Sequence, residues 1–227
     1  MIQEFEQVLE FVRQFWESDF GADRMQHMTD EALHFFKKLL PEFPDVGGEK
    51  NYLSNLIPFA AAYAALYQPM KKNGRTAEET GKIMYDYVVQ GCSGTSDKSA
   101  SDLTEITFSS RALEGMEKWT EWTRKREYPS NWVCRFIRGG GDDFDFGIDY
   151  TECALVKYLT SLGVPELAPY VCVTDFPDSL YHNTGLEREK AIGYGDDICT
   201  FRYKKGRKVR QDWSTEIPLI RARLSRK

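Results

Sequence analysis

The chain has no run of about 18 uninterrupted apolar residues, the length a helix needs to cross a bilayer, so no membrane partner is expected from its 227 residues. It also has no Cys-x-x-Cys pair, no Gly-x-Ser-x-Gly elbow and no His-Glu-x-x-His stretch, which removes the common zinc-ribbon, serine-hydrolase and zincin signatures. Gly139-Gly-Gly-Asp-Asp143 is glycine-rich but lacks the Lys-Ser/Thr of a phosphate loop, and is read as a turn. Positive charge does not predominate: 30 Lys and Arg stand against 35 Asp and Glu, the net charge is −5, and the main basic block is the tail segment 204–210. A broad cationic surface for a phosphate backbone is therefore missing, and nucleic acid is excluded as a main partner. The amino terminus, Met1-Ile-Gln-Glu-Phe-Glu, carries acids where a secretory signal carries positive charge. Five cysteines, an odd number, form no disulfide framework. A reducing compartment is expected, with the cytoplasm as the default and the thiols free or metal-bound.

What is present is enough apolar material for a full core, 41% of residues, with aromatics making up 14% of the chain. At about 150 residues per domain this length allows one or two domains. The expected organisation is one integrated unit with a helical half, 1–128, and an α+β half, 129–227. Ile2, Phe5, Val8, Leu9, Val12, Phe15 and Trp16 recur at three and four, the spacing of one helix face. Thr29 is placed to cap a helix over 30–40, and 41–48 reads as a loop of prolines and glycines. Residues 51–66 are apolar nearly all round, which predicts a buried helix with Pro58 near its start. Thr76-Ala-Glu-Glu79 has the capping-box pattern, with Gly91 placed to end its helix. Residues 93–101 read as a loop, and Leu113, Met116, Trp119 and Trp122 mark a further helix stopped near Pro129. The period then shortens to two in 132–138 and 144–148, which predicts a hairpin. Helices are expected over 150–162, from Pro165 and over 175–183, with strands over 187–194 and 199–204. The fold class is α+β: a helical amino-terminal half, then a small antiparallel sheet with inserted helices.

Three of the five cysteines lie in one carboxyl-terminal stretch, in the order Glu152-Cys153, Cys172-Val-Thr-Asp175 and Asp197-Ile-Cys199-Thr-Phe-Arg202. Together with Asp145-Phe-Gly-Ile-Asp-Tyr-Thr151, Pro165-Glu-Leu-Ala-Pro-Tyr-Val171, Arg188 and Gly195, this order resembles the L-2-amino-thiazoline-4-carboxylic acid hydrolase family. The likeness spans roughly 41–203. It implies an enzyme that hydrolyses a cyclic isothiourea: water adds at the carbon between nitrogen and sulfur, the carbon–sulfur bond breaks, and an N-carbamoyl-cysteine results. Such a reaction calls for an activated nucleophile, a proton donor for the leaving thiolate and a cation for the substrate carboxylate. The catalytic candidates are Cys153, Cys172, Asp175 and Cys199: Cys153 or Cys172 as thiolate, Asp175 as base or orienting group. Arg188 or Arg202 would clamp the carboxylate, with Glu152 as a further substrate-binding candidate. The family pattern has an aspartate after the last cysteine and a threonine two positions after the arginine; here those places hold Thr200 and Lys190.

Blander readings stand beside this one. A lone cysteine is commonly a small buried apolar residue, above all Cys92 and Cys134, and arginines commonly pair with surface acids. No cofactor is required by the sequence. A thiolate-bound metal such as zinc is nonetheless open, with Cys153, Cys172, Cys199 and His182 as ligand candidates, although the gaps match no known zinc spacing. A non-catalytic ligand or sensor domain is the alternative function. The element order is also similar to the vinyl-reductase-like ligand domains, and Phe59, Tyr63 and Trp132 would then wall an apolar cavity. A small molecule is the expected partner on either reading, and the aromatic helices prompt the expectation of a homodimer.

Overall fold

A computed structural model describes residues 1–140 and 143–225. Helix α1 (Ile2–Phe20) and helix α2 (Ala22–Leu39) are joined by Gly21 alone, at φ 80°. Phe5, near the start of α1, stacks on Phe36, near the end of α2, with ring centroids 4.1 Å apart, so the two run antiparallel. The predicted face of α1 is the buried one: Phe5, Val8, Leu9, Val12 and Trp16. Each large apolar side chain so buried contributes roughly 1.5–3 kcal/mol. Thr29 is not a cap. Its hydroxyl donates back to the Met25 carbonyl at 2.9 Å inside α2, which begins well upstream of Thr29 because Gly21 makes the turn.

Helix α3 (Leu56–Lys72) is the hub of the core, with every residue from Ala60 to Tyr67 buried. Its alanines let neighbours approach closely, which is why the segment is apolar all round. Helix α4 (Ala77–Ser93) opens with the predicted capping box: Glu79 N–H donates to Thr76 Oγ1 at 3.2 Å, and Thr76 N–H donates to the Glu79 carboxylate at 2.7 Å. It runs past Gly91 and ends at Gly94. The segment expected as a loop instead starts helix α5 (Asp97–Thr107), capped by the Ser96 hydroxyl. Small polar residues hid it: the stretch shows Ala100 and Thr104 as its only buried face. Helix α6 (Ser110–Thr123), capped by Ser109, ends well before Pro129.

Strands β1 (Val133–Arg138) and β2 (Phe146–Glu152) pair antiparallel as the predicted hairpin; residues 141 and 142 of its tip lie outside the described residues. After β2 come helices α7 (Ala154–Ser161), α8 (Ala168–Val173) and α9 (Asp175–Tyr181). Strands β3 (Leu186–Arg188) and β4 (Cys199–Tyr203) complete an antiparallel sheet of order β1-β2-β4-β3. Tyr150 to Glu152 extend β2 rather than begin a helix, so Cys153 falls at the strand-to-helix junction. The expected strand over 187–194 is shorter: after Arg188 the chain leaves the sheet and makes a 3₁₀ turn over Ile192–Tyr194. Beyond Lys205, where the sequence pattern was weak, helix α10 (Trp213–Leu224) is capped by Asp212 and buries Glu216, Ile217 and Ile220. The class is α+β, and the main buried cluster runs from Phe5 to Ile220, drawing on both halves of the chain. Among the described residues no helix is long and apolar enough to cross a membrane.

Register decides which side chains can meet. Tyr150 lies opposite Cys199, Ile148 opposite Phe201, and Phe201 opposite Arg188, so these share one face of the sheet. Asp149 lies opposite Thr200 and Gly147 opposite Arg202, on the other face. On that face Arg188 reaches Cys172 of α8 and Asp175 of α9, while Ile148 packs with Trp119 of α6.

Gly81 of α4 packs against α8 so closely that a Cβ there would stand 2.4 Å from the Tyr170 Cβ. In an exposed helix Gly→Ala stabilises by about 0.5–1 kcal/mol. Here Gly81→Ala should instead lower the urea midpoint, by about 1–3 kcal/mol of overpacking. A midpoint at or above that of the unsubstituted protein would show that the two helices separate freely.

Candidate active site

Several elements converge on one buried group of polar side chains. The junction of β2 and α7 brings Cys153, α8 brings Cys172, the first residue of α9 is Asp175, and β3 and β4 bring Arg188, Cys199, Phe201 and Tyr203. Its centre is an ion pair. Arg188, 1% exposed, donates through Nη1 to Asp175 Oδ2 and through Nη2 to the Cys172 carbonyl and the Tyr194 hydroxyl, both at 3.0 Å. Its guanidinium also stands over the rings of Phe176, Tyr194 and Phe201, at 4.8, 5.2 and 5.2 Å. The strand carrying it is fixed from behind by Gln211, which accepts from the Arg188 N–H at 2.9 Å and donates to its carbonyl at 2.8 Å. Gln211 donates in turn to buried Glu216 of α10, at 2.9 Å.

Asp175 is surrounded by protein, yet 38% of its side-chain surface is open. Tyr150, Cys153, Cys172 and Tyr203 combine the same deep position with partial openness. Because they are enclosed yet partly open, we take these groups as the lining of a recess. Arg188 holds Asp175 Oδ2, and Oδ1 has no protein partner among the described residues, so it is the oxygen available to a ligand.

Burial pushes the Asp175 carboxyl up to about 6, against the pull of Arg188. The opposite happens at the arginine: burial works against its charge, but Asp175, Tyr194 and the thiols outweigh it and the guanidinium stays charged. All three thiols are pushed up by burial. Cys172 is raised well above its ordinary value, with only Arg188 pulling it down. Cys199 rises to about 12, although the Ile192 N–H donates to its sulfur at 3.1 Å. At Cys153 burial also raises the thiol, but the Val156 and Leu155 amides at the first turn of α7 and the Trp132 indole all favour its thiolate. At neutral pH the recess therefore holds one carboxylate, one guanidinium and three protonated thiols. Among these groups Asp175 is the one able to accept a proton, and the thiols are able to donate one.

Of the residues singled out from the sequence, Cys153, Cys172, Asp175, Cys199 and Arg188 come together. Arg188 does so as the partner of Asp175, with both Nη atoms engaged and Nε buried without a partner. Arg202 does not join them: it lies on the opposite face of β4, donates to buried Asp149 at 2.8 Å and stands over Phe144. Glu152 is also elsewhere, held by Lys157 and Arg126, which keep its carboxyl below the usual range. His182 caps α9, its ring 3.1 Å from Asp178 and its carbonyl accepting from Thr104. Among the described residues no three His, Cys, Asp or Glu side chains are set to hold a metal ion. Lys190 is exposed, its amide bonded to Thr200 Oγ1. Not singled out as site residues were Tyr150, Tyr194 and Tyr203. Tyr203 was within reach, because it alternates with Cys199 and Phe201 along β4. Gly193 was also passed over: a Cβ there would lie 2.6 Å from Cys172 Sγ, so its bareness makes room for the sulfur.

Residues 56–203, more than half of the chain, match the family L-2-amino-thiazoline-4-carboxylic acid hydrolase, and the chain belongs to that family. The match contains every element of the recess and leaves out α1, α2 and α10. Among curated proteins and among solved structures, none matches the chain.

Two outcomes follow from these charge states. A carboxyl whose pKa is higher folded than unfolded binds its proton more tightly in the native state. The stability this gives is complete below about pH 4 and is lost as pH rises through about 6. Asp175→Asn removes that dependence, so the variant's melting temperature should gain on the unsubstituted protein between about pH 4 and pH 7; a difference independent of pH would contradict a raised Asp175. With iodoacetamide at neutral pH, Cys153, Cys172 and Cys199 should each alkylate more slowly than free cysteine, since the thiolate is the reacting form. Peptide mapping that finds any of them faster would identify a thiolate nucleophile instead.

Proposed function

We propose that the protein hydrolyses a small cyclic amidine or isothiourea such as 2-amino-thiazoline-4-carboxylate, opening the ring at the carbon between nitrogen and sulfur. The observation that carries this is Asp175 Oδ1, an unpartnered carboxylate oxygen in a recess beside three protonated thiols. Family membership agrees with it.

Asp175 Oδ1 takes a proton from water, whose oxygen adds to the ring carbon. The C=N electron pair goes to the ring nitrogen as the oxygen adds. The tetrahedral carbon then releases sulfur with the bonding electron pair, and the sulfur takes up a proton. The remaining proton of the added oxygen passes to the ring nitrogen as that oxygen becomes the carbonyl of a urea. Cys153 is the donor best placed for the leaving sulfur, since Val156, Leu155 and Trp132 support its thiolate once the proton has gone. A thiol is also well matched to the task, because donor and leaving group are the same kind of acid, with a pKa of about 8.5 when unperturbed. The proton collected by Asp175 returns to Cys153 at the end of the cycle. Arg188 is a positioning residue here: it keeps Asp175 ionised and fixes Oδ2 so that Oδ1 faces the substrate.

A non-catalytic ligand domain has one observation in its favour, the aromatic walls Tyr63, Tyr150, Phe201 and Tyr203. Ring opening separates the two, because it releases a thiol that can be followed chromogenically. Turnover should rise with pH through about 6 as Asp175 ionises. Asp175→Asn should lower kcat by about 10²–10⁴-fold, the usual contribution of a general base. Ligand binding with no thiol released at any pH would favour the ligand domain.

A further inference from the structure

The substrate carboxylate in such a reaction calls for a cation. Arg188 is committed to Asp175, the Cys172 carbonyl and the Tyr194 hydroxyl. Arg223 shares a cavity with Arg188 and is bonded to Asp196 and the Glu189 carbonyl. Arg202 lies behind the sheet on Asp149, and Lys157 holds Glu152 and the Pro129 and Asn131 carbonyls. Lys205 reaches Glu105 of α5. His182, at the far end of α9 from Asp175, is differently placed: one of its ring nitrogens is open.

Helix α9 and its C-cap carry Asp175, Asp178 and His182 at spacings of three and four, which sets them along one side of the helix. At 1.5 Å per residue they span about 10 Å along its axis. Asp178 belongs to the recess with Asp175. It acts on the Asp175 carboxyl and on the Tyr203 hydroxyl, and it too is surrounded by protein while 61% of its side-chain surface stays open. Its Oδ1 lies 3.1 Å from His182 Nδ1, which leaves Asp178 Oδ2 and His182 Nε2 without protein partners among the described residues. The backbone of His182 is fixed from another side, its carbonyl accepting from the Thr104 hydroxyl of α5 at 3.0 Å.

This pair complements a ring that has an amidine edge and a carboxylate arm. A carboxylate oxygen accepts an amidine N–H, and an imidazolium, in which both nitrogens donate, gives a charge-assisted hydrogen bond to an anion. Asp178 occupies Nδ1, so Nε2 is the donor left for the ligand. We infer that Asp178 and His182 form the substrate-binding subsite beside Asp175: Asp178 Oδ2 accepts from the amidine edge, and His182 Nε2 donates to the carboxylate arm. His182 is thereby the residue that selects substrates with an anionic arm, and Asp175 Oδ1 is left to the attacking water. The inference rests on the hydrolase reading of the same recess.

The test compares 2-amino-2-thiazoline with its 4-carboxylate on the full chain, affinity being measured by calorimetry and ring opening by thiol release. The carboxylate should bind at least about tenfold more tightly than the plain ring, a difference of about 1.4 kcal/mol. His182→Gln should erase that preference, and its binding of the plain ring reports that the variant is folded. Asp178→Asn should weaken both compounds, since both carry the amidine. If the native protein shows no preference, if the preference survives His182→Gln, or if Asp178→Asn binds both compounds undiminished, the inference is wrong while thiol release still supports the hydrolase reading. If neither compound binds or opens, the hydrolase reading fails and this inference with it.

Discussion

The pair between Asp175 and Arg188 is the constraint around which the carboxyl-terminal half is arranged. Taking two charges out of water costs several kcal/mol each, and only good geometry and further hydrogen bonds offset it. Arg188 has both, with a carboxylate, a carbonyl, a hydroxyl and three aromatic rings around it. Removing Asp175 would strand the buried guanidinium, at a cost of about 3–5 kcal/mol. The same contacts join parts that are far apart in sequence: the end of α8, the start of α9, the edge strand β3 and, through Gln211 and Glu216, the helix α10. That last link lies outside the span matched by the family, so this chain's backing of the arginine includes a segment the match does not cover.

Much of the fold was legible because it is written in local chemistry. The Thr76 capping box, the three-and-four spacing of α1 and the shift to period two at Trp132 each depend on neighbours in sequence. Helices α5 and α10 were not legible for the opposite reason: their buried faces are two or three residues wide and their surroundings are polar. Thr29 misled because a threonine hydroxyl serves a helix interior as well as a cap. The site was half legible. The order of cysteines marked segments that the fold brings together, but sequence order does not give facing. Cys199 and Arg202 are three apart on a strand, hence on opposite sides, and that odd spacing already argued against one pocket for both. That Arg188 would be bound to Asp175, and not open to a substrate, is a long-range fact with no local sign.

Burial gives the three thiols a shared character that their number alone does not suggest. A cysteine cluster invites thoughts of nucleophiles or metals, yet low polarity around Cys153, Cys172 and Cys199 favours the neutral form of each. In the same surroundings Asp175 remains the group that changes charge near neutral pH. One environment therefore sorts four acids into two roles.

The sheet acts as a partition. On one side of β4 lie Cys199, Phe201 and Tyr203 against the recess; on the other Arg202 meets Asp149, which is also held by Arg135. Because side chains alternate strictly, adding or deleting one residue within β4 would exchange the two sides, driving a guanidinium inward and the cysteine outward. A substitution along that strand accordingly alters one side of the partition, whereas a change of its length by one residue, unless a bulge absorbs it, alters both at once.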